Sequence, residues 1–121
     1  MELGMIGLGR MGGNMAQRLL LGGHRVVVHD PKAEAVEALI KQGAAGASSI
    51  ADLAEQLAPP RAVWVMVPSG EATESTINAV AGTLSPGDVI IDGGNSNYKD
   101  SIRRAAALAE KGLFFLDAGT S

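Results

Sequence analysis

One short segment limits what this chain can fold into more than any other: Gly7-Leu8-Gly9-Arg10-Met11-Gly12. Its spacing is G-x-G-x-x-G. An apolar run of strand length, Glu2 to Ile6, leads into it, and Met11 to Leu21 follows with the periodicity of a helix. In a glycine-rich chain such spacing arises by chance. Its position between a strand and a helix is what gives it meaning. In that setting Gly7 makes a tight turn, Gly9 lets a pyrophosphate approach the backbone, and Gly12 lets the helix pack closely on the strand. The helix start offers unbonded N–H groups and the positive end of a dipole to an anion. Leu8, Arg10 and Met11 fill the remaining positions of the loop. Arg10 either reaches a phosphate or stands as a solvated surface arginine. The competing reading of the whole segment is a structural turn without a ligand.

The rest of the chain repeats the alternation of strand and helix. Gly22-Gly23 stops the first helix. Arg25 to His29, with Val26-Val27-Val28, forms a second strand. Pro31 sits in the first turn of a helix whose inward face carries Val36, Leu39 and Ile40 and which ends at Gly43. Ala44 to Ala47 is a short third strand. Ser49 caps a helix from Ile50 to Leu57, with Asp52 in its first turn. Pro59-Pro60 breaks that helix, and Ala62 to Val67 is the clearest buried strand. A helix from Ala72 to Ala81 turns Ile77 and Val80 inward. After the Ser85-Pro86-Gly87 turn, Val89 to Ile91 is a fifth strand. Asp100 to Lys111 is an alanine-rich helix stopped by Gly112, and Leu113 to Leu116 begins a sixth strand. This order predicts an α/β fold: a Rossmann-type, doubly wound, mostly parallel sheet in the order 3-2-1-4-5-6. Residues 1–121 form a single domain without an internal linker or repeat. A sheet that stops just after its sixth strand is expected to be part of a longer protein.

Composition narrows the partners. Hydrophobic residues make up 46% of the 121 residues but aromatic ones only 3%, so the core is built from Val, Ile, Leu, Ala and Met. The formal net charge is −3 and no basic stripe is present, so no nucleic-acid partner is expected. The chain has no cysteine, which excludes disulfides and thiolate chemistry and fits the cytoplasm. Met1 to Gly7 lacks the charged start and longer apolar core of a signal peptide. No stretch approaches the roughly 20 apolar residues of a membrane span, so no membrane association is expected.

Asp30 ends the second strand, where an acidic residue about 20 residues beyond the glycines accepts hydrogen bonds from ribose hydroxyls. A carboxylate there repels a 2′-phosphate, which favours NAD over NADP. Lys32 pulls the other way, since a cation nearby can accept that phosphate. Asp30 also suits the N-cap of the helix starting near Lys32. His29 points to the opposite sheet face and reads as a packing residue. Two later loops lie where open α/β sheets bind ligands: Val67-Pro68-Ser69-Gly70 and Asp92-Gly93-Gly94-Asn95-Ser96. Gly93-Gly94 permits backbone close to a ligand. Asn95 is a candidate to orient a substrate hydroxyl or the nicotinamide amide, although Asn95 and Ser96 equally suit a turn that caps the next helix. Trp64 reads as core, His24 as surface, and Lys99 and Lys111 as solvated lysines.

These segments (GLGRMG, VPSG, IIDGGNSNY and DAGTS) resemble the 6-phosphogluconate dehydrogenases, most of all their short bacterial branch. The resemblance covers the whole chain, which corresponds to the family's N-terminal cofactor domain. D-G-G-N-S is its specific part, because related 3-hydroxyisobutyrate-type dehydrogenases usually carry D-x-S-T there. The resemblance implies that Gly7 to Gly12 bind pyrophosphate and that Asp30, Pro31 and Lys32 surround the adenosine ribose. It implies that Val67, Pro68 and Ser69 line the nicotinamide side and that Asn95 contacts both cofactor and substrate. Ser121 looks like the serine of the family's S-G-G substrate motif. NADP-type members usually carry an Asn-Arg-Thr-like segment in place of Asp30-Pro31-Lys32, which again favours NAD.

The activity so implied is oxidative decarboxylation of 6-phosphogluconate, a phosphorylated sugar acid, to ribulose 5-phosphate and CO2, with hydride passing to NAD(P)+ and no metal required. The family's base lysine and acid glutamate lie in a C-terminal helical substrate and dimerisation domain, which this chain lacks. The chain alone is therefore expected to bind cofactor without turnover, and the full-length parent to be a homo-oligomer. Two rival readings remain: a 3-hydroxyisobutyrate-type β-hydroxyacid dehydrogenase, and a non-catalytic NAD(H)-sensing module.

Overall fold

The computed structural model describes residues 2–67, 71–93 and 98–117. In chain order the elements are β1 (Glu2–Ile6), α1 (Arg10–Leu21), β2 (Arg25–His29), α2 (Ala33–Ile40), β3 (Ala45–Gly46), α3 (Ile50–Glu55), β4 (Ala62–Val65), α4 (Glu71–Ala81), β5 (Val89–Asp92), α5 (Tyr98–Ala109) and β6 (Phe114–Asp117). The strands form one six-stranded sheet in the order β3-β2-β1-β4-β5-β6. All of its pairings are parallel, with registers such as Met5 opposite Val28 and Ile6 opposite Val65. The expected fold class and strand order are therefore observed.

A parallel sheet covered on both faces needs strands that are apolar on both sides. β2 shows how the sequence supplies this: Val26, Val27 and Val28 are all fully buried. Successive side chains alternate between faces. Val27 joins Ile6, Leu53, Val65, Ile77 and Leu108 in one cluster, which places α3, α4 and α5 on that face. Val26 and Val28 join Leu3, Met5, Ala16 and Leu39 in the other, under α1 and α2. The chain thus winds one way from β1 to β3 and the other way from β4 to β6. Between β1 and β4 the winding reverses.

Several boundaries move by a residue or two, each for a local reason. α2 begins at Ala33 with Lys32 as its N-cap, so Pro31 lies before the helix and Asp30 is not the capping residue. Asp30 Oδ1 instead accepts the Lys32 N–H at 2.8 Å, a side-chain-to-backbone turn that holds the chain extended ahead of the helix. Of the face expected inward on α2, Leu39 is buried, whereas Ile40 is 46% exposed and ends the helix. Its tip covers Gly46 of the two-residue β3, where a Cβ would lie 2.6 Å from Ile40 Cδ1. α3 stops at Glu55, short of Leu57. Its start is as expected, with Ser49 Oγ accepting the Asp52 N–H at 3.0 Å. β4 ends at Val65, two residues before the expected Val67. α5 and β6 are offset from the ranges 100–111 and 113–116 by one or two residues.

Candidate cofactor site

The site forms above the carboxyl ends of β1, β2 and β4, where the winding reverses, and its floor is the glycine turn. Each fingerprint glycine can be asked what a side chain would meet. Gly7 has φ +94, and a Cβ there would lie 2.3 Å from the Met66 carbonyl oxygen. A Cβ on Gly12 would fall 2.0 Å from the Gly7 carbonyl oxygen, so α1 sits on β1 at backbone contact. The chain's own packing therefore accounts for both. Gly9 differs: its backbone is ordinary extended (φ −65, ψ −169), and a Cβ would meet nothing within 4 Å. Nothing in the fold requires a glycine at that position. The free approach it leaves opens onto the start of α1.

That helix start is bare. Gly9 is its N-cap and supplies no side-chain cap, and no acidic residue sits in the first turn. The first intrahelical bond described runs from the Gly13 N–H to the Gly9 carbonyl at 2.8 Å, which leaves the preceding N–H groups without helical acceptors. α3 shows the alternative, an end closed by Ser49 with Asp52 beside it. A bare positive helix end with a clear approach has the chemistry of an anion site. The residues present fit a pyrophosphate.

Asp30 ties the second wall to this floor. Its Oδ2 accepts the Leu8 N–H at 2.7 Å, across 22 residues of sequence, while its Oδ1 holds Lys32. The carboxylate expected to read a ribose thus also fixes the shape of the glycine turn, a role the sequence pattern did not reveal. A cavity of about 510 Å³ opens beside it, lined by Gly7, Gly9, Asp30, Pro31, Lys32 and Val67 of the expected residues. Arg10 and Met11 are exposed at the helix start and lie outside that lining. Leu8 and Gly12 are buried and also lie outside the lining, while Pro68, Ser69, Asn95 and Ser121 fall outside the described residues.

The cavity also takes in Ile50, Met66, Thr76 and His29. The first three were missed because they come from α3, the end of β4 and α4. The rule that ligands lie at the switch point gives their neighbourhood but not their identity. His29 was expected on the face opposite Asp30. Strand alternation stops separating them at the sheet edge, since Asp30 lies one residue past β2 and turns back to Leu8. His29 is half-buried and its Nδ1 lies 3.0 Å from the Ala47 carbonyl oxygen, so it does serve packing while lining the same cavity.

Gly93 carries a packing role that the sequence did not show. A Cβ on it would lie 2.0 Å from Trp64 Nε1 and 2.2 Å from Met66 Sδ. The packing of Trp64 and Met66 therefore requires the absence of a side chain at Gly93. Trp64 is half-buried against the α1/α2 face, and its Nε1 donates to Met66 Sδ at 2.9 Å. Lys111 is exposed, as expected, and so is Lys99. His24 is half-buried.

Comparison with known proteins decides the family. Residues 2–121 match the family described as the NAD binding domain of 6-phosphogluconate dehydrogenase. The chain belongs to that family. It is 46% identical over 121 residues to the NAD(+)-dependent, decarboxylating 6-phosphogluconate dehydrogenase of Haloferax volcanii, covering all of this chain and 40% of that protein. Among solved structures, the Plasmodium falciparum 6-phosphogluconate dehydrogenase, described with its cofactor NADP+ and its substrate 6-phosphogluconate, superposes with a TM-score of 0.87 at 29% identity. That match covers 95% of this chain and 26% of that one. The Mycobacterium tuberculosis 3-hydroxyisobutyrate dehydrogenase gives a TM-score of 0.86 at 28% identity, over 99% of this chain and 40% of that one. The chain thus spans about two fifths or less of the relatives it matches.

Proposed function

We propose that this chain holds NAD(H), in preference to NADP(H), as the cofactor domain of a cytoplasmic, decarboxylating 6-phosphogluconate dehydrogenase. The observation that carries the dinucleotide reading is the contrast among the glycines: packing accounts for Gly7 and Gly12, whereas Gly9 leaves an open approach to a bare helix start. In this reading the α1 N–H groups bind the pyrophosphate and Gly9 lets it come close. The Asp30 carboxylate keeps the turn in shape through Leu8, and its remaining lone pairs accept from the adenosine ribose. Pro31 and Ile50 supply apolar walls.

With the adenosine half over β2 and the diphosphate over β1, the other half runs on toward the ends of β4 and β5. There Val67, Pro68, Ser69 and Asn95 are assigned to the nicotinamide side. Asn95 and Ser121 are assigned to the substrate. When bound there, the nicotinamide would supply the acceptor for a hydride from the substrate. The overall change proposed for the full-length parent is 6-phosphogluconate + NAD+ → ribulose 5-phosphate + CO2 + NADH. Its proton-transfer groups are assigned to a further domain. D-G-G-N-S favours a phosphorylated sugar acid over 3-hydroxyisobutyrate.

Calorimetric titration with NAD+ and NADP+ tests the cofactor choice. NAD+ is expected to bind more tightly. Asp30→Ala is expected to weaken both cofactors, because it frees the Leu8 and Lys32 N–H groups, but to weaken NAD+ more. Tighter binding of NADP+ by the unmodified chain overturns the preference. Comparing 6-phosphogluconate with 3-hydroxyisobutyrate as substrates of the full-length parent tests the reaction.

A further inference from the structure

A second charged cluster lies away from the glycine turn. Arg104, two turns into α5, is 5% exposed. Its Nε donates to Glu74 Oε2 at 2.6 Å, and its Nη1 stands 3.8 Å from Asp92 Oδ2. Arg103 Nη1 meets the other oxygen of Glu74 at 2.9 Å. Asp92 is itself fully buried. Arg104 Nη1 is buried without a hydrogen-bond partner.

The placement of these groups is what matters. Asp92 is the last residue of β5, immediately before Gly93. Glu74 stands in the first turn of α4, which follows the loop leaving β4. Arg103 and Arg104 stand on α5, which follows the loop leaving β5. The cluster therefore ties together the start of α4, the end of β5 and α5, on the side assigned to the nicotinamide. As a stabilising device it is poor: buried ion pairs are often matched by apolar side chains of like volume, and a buried donor left unsatisfied adds cost. A forked, rigid guanidinium held between two carboxylates does set geometry well.

We propose that Arg104 is a positioning residue for the nicotinamide end of the bound dinucleotide. Through Glu74 and Asp92 it holds α4, the end of β5 and α5 at a fixed spacing beside that end of the ligand. The inference rests on the dinucleotide reading given above.

The test separates the two halves of the ligand. ADP occupies the adenosine and diphosphate positions and lacks the nicotinamide riboside; NAD+ occupies both. Wild type, Arg104→Met and Arg104→Lys are titrated with each. Arg104→Met is expected to weaken NAD+ about fivefold or more, since a misplacement of about 1 Å is costly to a positioned group. ADP binding should stay within about twofold of wild type, a change of under half a decade in affinity. Arg104→Lys, which keeps the charge but not the fork, should fall between. Equal losses for ADP and NAD+, or no loss for NAD+, overturn the proposal. Should Arg104→Met fail to fold, Arg104→Lys and Glu74→Gln carry the same comparison. If the unmodified protein binds neither ligand, the dinucleotide reading fails and this inference with it. If it binds both and the variants do not separate them, this inference alone falls.

Discussion

At the scale of single residues, the three fingerprint glycines differ in what they do, and substitution separates them. Gly12→Ala puts a Cβ 2.0 Å from a backbone oxygen that cannot move without shifting β1. The expected cost is about 3 kcal/mol, the upper part of the overpacking range. For a domain of this size that lowers the melting temperature by roughly 10 °C. Gly9→Asp should act in the opposite direction on stability. Its side chain enters open space at an N-cap, where Asp is among the best residues, so the melting temperature should hold or rise by a degree or so. The same carboxylate would occupy the place proposed for the phosphate at the helix start, and NAD+ affinity should drop about a hundredfold or more. Thermal melts and titrations of both variants check this. A Gly9→Asp variant that keeps its affinity would show that the open approach is not used. From the sequence the three positions could be listed but not ranked, because the distances to Met66 and Gly7 depend on how closely the strand and helix meet.

Among the elements, α4 and β5 are held by core packing and strand pairing, and the charged groups near their ends add a pH-dependent part. Glu74 on α4 is held below its ordinary carboxyl value, chiefly by the Arg103 guanidinium and then by Arg104. Asp52 on α3 is lowered first by the Ser48 N–H, and Glu2 on β1 first by the Ala58 N–H. All three are depressed in the folded state, so in acid the unfolded chain binds protons more readily. Their contribution is fully present above the ordinary values of 4.5 for Glu and 3.8 for Asp, and is lost as pH falls through the folded values. Melting temperatures should be flat from about pH 7 to about pH 5 and then fall steeply. Glu74→Gln should lower stability at neutral pH and make the acid decline shallower; an unchanged acid slope would show that Glu74 takes no part.

β5 carries a second, independent prediction. Gly93→Ala drives a methyl group into Trp64 and Met66, at a cost of about 1–3 kcal/mol. Trp64 is the only tryptophan in the chain, so its fluorescence reports the displacement directly. An unchanged emission spectrum would place the accommodation elsewhere. The sequence showed Gly93 in a ligand-facing loop. It gave no sign that the strand beside it sends an indole under that loop, because cross-strand neighbours such as Trp64 and Ile91 are set by register and not by local pattern. The element types themselves were legible, since Val26-Val27-Val28 and Ala62 to Val65 are too apolar for anything but a sheet covered on both faces. The ends were not. Whether Asp30 caps a helix or turns back to Leu8 depends on a contact across 22 residues.

For the molecule as a whole, the site belongs to no single element. Gly9 starts α1, Asp30 follows β2, Ile50 starts α3, and Met66 and Val67 follow β4. Only the assembled sheet brings them together. A ligand at such a place binds the folded chain and not the unfolded one, so it must raise stability by mass action. At a hundredfold excess over its dissociation constant the gain is about 2.7 kcal/mol, which lifts the melting temperature by roughly 10 °C. NAD+ is therefore expected to stabilise the chain in proportion to the logarithm of its concentration. NADP+ should require more ligand for the same shift. Turnover is a separate matter. The positions assigned here bind and orient, while the proton-transfer groups are proposed to lie outside these 121 residues. Adding 6-phosphogluconate with saturating NAD+ should give no NADH. A thermal shift without turnover is what a cofactor half requires. Turnover by these 121 residues alone would mean that a general base lies among them and that the division of labour proposed here is wrong.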